Sequence, residues 1–128
     1  MRFPESYLDY LIYFHVVRDY FECHEVLEAH WKKDPPEQRK DHWVALIQLA
    51  VALYHHRRGN LKGASLMYRR AEQKIVNEVE ALTSLAIDVS ELLKKMKQLQ
   101  TRLDKNEAFV DIDIPLTSSD LLQQCEKR

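Results

Sequence analysis

His24, Glu25 and Glu28 have the types and the spacing of a chemical site. Side chains four residues apart share one face of a helix, so His24 and Glu28 point the same way and have the geometry of a chelating pair for a divalent metal. Glu25, between them, stands where a general base for hydrolysis would be needed. A second polar set lies in the stretch Trp43–Asn60, where Gln48 and His55 fall on one line of a helix seven residues apart. His55 or Gln48 from that helix would complete the metal's ligands, giving the set His24, Glu28 and His55.

The run His24-Glu25-x-x-Glu28 has the form of the hydrolase motif His-Glu-x-x-His with Glu28 in place of the second histidine. The pattern is short and arises often in Glu-rich helices, and the Glu-x-x-His pair of di-iron bundles is absent. The same residues also allow a structural reading. Glu22, His24, Glu25 and Glu28 would pair across the helices with Gln48, His55, Arg57 or Asn60, because a buried carboxylate requires donors. On a third reading the helices form a binding module, with Trp31, Trp43 and Tyr54 as aromatic anchors and the segment 109–116 filling a groove in its own chain or in a partner. Cys23, on an apolar arc, is expected to be an inert core thiol.

The element that must position these groups is the helix from Trp43. Every residue from Trp43 to Tyr54 except Gln48 is apolar or aromatic, and a run of about 18 Å is too short for a bilayer core. It reads as a helix packed among other helices, closed by Gly59 as a left-handed cap and by Arg57 and Arg58 at the negative end of the dipole. Before it, Phe3 to Arg18 predicts a first helix with a stripe of Tyr7, Leu8, Leu11, Ile12 and His15. The run from Asp19 to Lys33 predicts a second, opened by a capping box of Asp19 and Glu22 and stopped by Pro35-Pro36. Asn60 caps the next helix at once, so the connection is a tight antiparallel hairpin. Asp88 and Glu91 open another helix to about Lys105, with Val89, Leu92, Met96, Leu99 and Leu103 as a seam that packs on the bundle or serves a homodimer. After it, Val110, Ile112, Ile114 and Leu116 alternate with Asp111, Asp113 and Pro115. That is an extended tail, and Ser118 or Ser119 starts a short last helix.

Composition limits the function classes. A chain of 128 residues, 45% hydrophobic, is large enough for one proper core, and two Gly and four Pro suit long helices. Lys+Arg 19 against Asp+Glu 20 gives no broad attraction for nucleic acid or membrane. Two distant cysteines make neither a disulfide framework nor a zinc site. The N-terminal stretch lacks the basic segment and apolar core of a signal peptide, so a cytoplasmic location is expected.

The block Tyr20-Phe21-Glu22-Cys23-His24-Glu25-Val26-Leu27-Glu28, ending in Trp31, resembles the signature of the DUF309 family. A second block, Leu46 to His55 followed by Arg58-Gly59-Asn60 and Gly63-Ala64, fits the same family in the right order. The likeness covers roughly Pro4 to Leu93. Cys23 stands where the family often has a small residue such as Ala. The resemblance implies a small, all-helical, mostly prokaryotic protein of unassigned function, and therefore no reaction. Gly59, Ala64, Tyr68 and Ala71 are also similar to positions of a tetratricopeptide helix pair, but Gln48 stands where that repeat has its early Trp.

The expectation is an all-α, single-domain bundle of about five helices around a central helix, residues 1–105, with an extended tail over 106–128. The functional expectation is a non-catalytic binding or scaffolding domain. Its polar network would be Glu22, His24, Glu25, Glu28, Gln48, His55, Arg57 and Asn60 with Trp31, and its partner another protein or a second copy. No cofactor is expected on that reading. The alternative is a metal-dependent hydrolase with a divalent metal on His24, Glu28 and His55 and with Glu25 as base.

Overall fold

The computed structural model describes residues 3–127, and among them it contains helices and no strand. The order is α1 (Glu5–Ile12), α2 (Tyr20–Trp31), α3 (Asp41–Arg57), α4 (Leu61–Asn77), α5 (Val79–Ser84), α6 (Val89–Asp104) and α7 (Ser119–Glu126). A π-turn over Tyr13–Val17 ends the first helix, and a 3-10 turn over Pro36–Gln38 precedes α3. No helix among the described residues is long and apolar enough to cross a membrane.

Each helix starts where the local chemistry dictates. Asp19, Asn60, Asp88 and Ser118 accept hydrogen bonds from the first-turn N–H groups of Glu22 (3.0 Å), Gly63 (3.1 Å), Glu91 (3.1 Å) and Leu121 (3.2 Å). The reciprocal half of the two expected capping boxes is not formed. Asp19 N–H already donates to Tyr13 O at 3.0 Å, which closes the π-turn, and Asp88 N–H donates to Pro115 O at 2.9 Å. Glu22 and Glu91 are thereby left without that donor.

The hairpin between α3 and α4 explains much of the second sequence block. Gly59 takes φ 83°, a conformation that favours glycine. Gly63 leaves room for the cap, since a Cβ there would come within 2.6 Å of Asn60 Nδ2. Ala64, without exposure, allows close approach of the two helices.

α3 lies between α2 and α4, and Tyr10 of α1 reaches it by donating to Leu46 O at 2.9 Å. The core gathers Tyr7, Tyr10, Phe14, Tyr20, Leu27, Leu46, Leu49, Leu53, Tyr68 and Ile75, all fully buried. One arc of α3 nevertheless stays open, and Asp41, Val44, Ile47, Gln48, Val51, Tyr54, His55 and Arg58 are half-buried or exposed along it. At about 100° per residue these positions span roughly 140° of the helix.

The expected extended tail is present between α6 and α7. It folds back on its own bundle as a strap over 109–117, and Ile87 and Leu116 form an isolated antiparallel bridge. Thr117 N–H donates to Ala86 O at 2.8 Å.

Candidate functional site

α2 brings His24 and Glu28 together as its spacing requires. Glu28 Oε2 lies 2.7 Å from His24 Nε2, and Glu28 Oε1 lies 2.7 Å from Lys32 Nζ, one turn further on. The Lys32 ammonium, aided by His24, holds the Glu28 carboxyl below the usual carboxylate range. Glu25, half-exposed, sits 3.7 Å from His24 Nδ1. On α3, His55 Nδ1 faces Asn60 Nδ2 at 3.2 Å. Arg57 turns away to stack over Tyr20 at 4.6 Å and to donate to Arg18 O at 2.5 Å.

The buried network expected across the helices is therefore corrected. Glu22, His24, Glu25 and Glu28 are half-buried or exposed on α2, and their ion pairs stay within that helix. The reason is geometric: His24 and Lys32, each four residues from Glu28, reach it along one face of α2. Likewise His55 does not join His24 and Glu28. Among the described residues no group of three or more His, Cys, Asp or Glu is placed to hold a metal ion.

Phe21, between Tyr20 and Glu22 on α2, is 45% exposed and packs edge-on against His24 (5.6 Å) and tilted on Tyr54 (5.7 Å). One more expectation changes. Trp43 is no anchor. It is buried among Tyr7, His30 and His42. Trp31 is half-buried under the Arg39 guanidinium at 4.9 Å, and Tyr54 carries Arg58 over its ring at 4.9 Å. Cys23 is buried as expected and donates to Tyr10 O at 3.4 Å, and burial pushes its thiol well above the usual range.

The open arc of α3 carries Val44, Gln48, Val51 and His55 and lies between α2 and α4. Phe21 of α2 meets it at Tyr54. On the α4 side Gln48 opens onto a cleft of about 440 Å³ lined by Arg70, Gln73, Lys74 and Asn77. Lys74 closes one end through an ion pair with Asp41 at 3.2 Å. Two buried polar atoms of this region, Gln48 Oε1 and Trp31 Nε1, have no hydrogen-bond partner. On the α2 side stand His24 and the Glu28–Lys32 pair, and on the α4 side Arg70 and the Asp41-paired Lys74.

A second constellation, absent from the sequence-based set, holds the strap. Arg18 donates to Ile112 O (2.6 Å) and to Asp113 Oδ1 (2.7 Å), Tyr20 donates to Asp111 Oδ1 (2.5 Å), and Lys95 donates to Asp113 O (3.1 Å). His15 Nε2 accepts from Ile114 N–H at 2.9 Å, so the ring is neutral with its proton on Nδ1. Burial lowers the His15 pKa, against an upward pull from Asp113 and with further lowering by Arg18 and Lys95. Phe109 lies against Tyr20 and His56, while His56 Nδ1 meets Tyr68 Oη at 2.8 Å inside the core. The alternation of apolar residues with Asp111 and Asp113 was the one trace of this arrangement in the sequence. Nothing in the spacing of His15, Arg18 and His56 disclosed their common target.

Residues 7–67 match DUF309, a domain of unknown function. Over 123 residues the chain is 43% identical to the uncharacterized protein YpuF of Bacillus subtilis (strain 168), a match spanning 96% of this chain and 71% of the relative. No solved structure matches.

Proposed function

Because this chain belongs to the DUF309 family, a domain of unknown function, its role has to be argued from its own surface, and we propose that it is a non-catalytic binding module. Its occupant is an amphipathic helix of another protein, laid along the open arc of α3.

The carrying observation is the open arc of α3 with the cleft on its α4 side. Signature residues Phe21, His24, Glu28, Gln48 and His55 come to the surface along one strip, although the hairpin chemistry already accounts for Gly59, Asn60 and Gly63. Val44, Val51, Phe21 and Tyr54 offer the partner's apolar face a place to bury, as in helix-in-groove recognition. Arg70, beside the cleft, suits acidic residues on one flank of that helix.

The test places a photo-crosslinking phenylalanine analogue at Phe21 or Tyr54, with Val76, exposed on the far side of α4, as control. In cells that naturally make the protein, positions 21 and 54 should trap the same protein through one segment. That segment should carry an amphipathic helical pattern with acidic residues on one flank, and Arg70→Glu should remove the adduct. Equal labelling at 21, 54 and 76, or a trapped segment without that pattern, would overturn the reading.

A further inference from the structure

His15 makes a contact that only one of its protonation states allows. Its Nε2 accepts the backbone N–H of Ile114 at 2.9 Å, so that hydrogen bond and a proton on Nε2 exclude each other. Ile114, 2% exposed, is the one buried residue of 109–117. Around this point the strap is held by Arg18 on Ile112 O and Asp113 Oδ1 and by Lys95 on Asp113 O. Two backbone bonds follow, from Asp88 N–H to Pro115 O and from Thr117 N–H to Ala86 O.

Each element around His15 bears on what a second ring proton would meet. Arg18 at the end of the π-turn and Lys95 of α6 repel it, and Asp113 of the strap attracts it. The Asp113 carboxylate is already paired with Arg18 at 2.7 Å and its side chain is 62% exposed, so water screens that attraction. From α7, exposed Glu126 and the Cys125 thiol share with His15 a cavity of about 260 Å³, whose other walls include Leu11, Ile12, Val16 and Leu116. A charged His15 thus loses its bond to Ile114 and stands against the same two cations that grip the strap at Ile112 and Asp113.

We propose that His15 is a proton-operated latch: a proton at Nε2 lifts residues 109–117 off the bundle as one unit while the helices stay folded. Neighbouring Cα atoms lie 3.8 Å apart, so Ile114 cannot leave its seat while Asp113 and Pro115 keep theirs. Leu116 leaves with them, and the wall of Leu11, Ile12 and Val16 opens to water. The latch shares no residue with the open arc of α3. Released, the ring returns toward the ordinary value of 6.5, above its value under the closed strap. One proton is taken up per opening below that pH, and the opening constant rises by up to about tenfold per pH unit until the ring of the closed form itself titrates.

The test follows amide exchange by NMR on the ¹⁵N-labelled full chain from pH 7 to pH 5, with rates corrected for the intrinsic effect of pH. The amides of Ile114, Thr117 and Asp88 should lose protection together, by about tenfold, and exchange faster than the buried Leu49 of α3. His15→Gln keeps a neutral acceptor that does not titrate and should abolish this acid response. Ile114→Asp, which unseats the strap, should raise the midpoint of His15 toward 6.5, read from its ring nitrogens. Loss of protection confined to Ile114, or one shared rate for these amides and Leu49, would overturn the latch. An unchanged acid response in His15→Gln, or an unmoved His15 midpoint in Ile114→Asp, would do the same.

Discussion

The polar side chains of this protein sort by whether water can reach them. His24, Glu28 and Lys32 form a ladder at i and i+4 with side chains 25%, 34% and 56% exposed. Solvent screens such pairs, so Glu28→Gln should leave the unfolding free energy within about 0.5 kcal/mol of the parent. His56, 4% exposed, is the opposite case: its Nδ1 is paired with Tyr68 Oη and its Nε2 has no partner. Tyr68→Phe removes the remaining bond and should cost about 1–3 kcal/mol. Urea titration of both variants beside the parent checks the contrast. A Glu28→Gln loss as large as that of Tyr68→Phe would mean that the α2 ladder is structural after all. The sequence pointed to His24 and Glu28 because their spacing is local. It passed over His56, whose partner lies twelve residues away across a hairpin and whose position beside His55 marks nothing.

At the scale of the element, helix starts and the hairpin were written in the residues, because capping is short-range. Asn60 shows how much rests on one side chain, since it accepts from Gly63 N–H and faces His55. Asn60→Ala should destabilise the protein by about 1 kcal/mol, the ordinary value of an N-cap. Asn60→Asp, which keeps the acceptor, should recover most of that loss. Thermal melts of the two variants decide it, and equal losses would show that the contact to His55, rather than the cap, is what matters. The central helix was placed correctly by its apolar run. Its open arc was not visible, because Val44, Ile47, Val51 and Tyr54 look like core until the neighbouring helices are placed. Phe21 misled for the same reason: it stands beside buried Tyr20 and Cys23, yet its direction takes it to the surface.

For the molecule as a whole, the histidines set the response to acid. Burial holds His15, His30, His42 and His56 below the ordinary histidine value of 6.5, so the folded chain binds fewer protons than the unfolded one just below that pH. Stability therefore rises with pH in that range and is lost as pH falls through 6.5 toward the folded values. The melting temperature should drop between pH 7 and pH 5, and the amide of Ile114 should lose exchange protection early, because a charged His15 cannot accept its N–H. A flat melting temperature over that interval would contradict this account. By itself the sequence determined the all-α class, the caps, the Gly59–Asn60 hairpin, the family and the extended character of the tail, all of which depend on residues close together along the chain. Only the tertiary structure decided that the signature carboxylates face water, that His55 stays apart from His24, and that His15, Arg18 and Tyr20 meet the strap. Those outcomes rest on how helices rotate and cross as they bury their apolar faces, a balance struck among distant residues that no local spacing encodes.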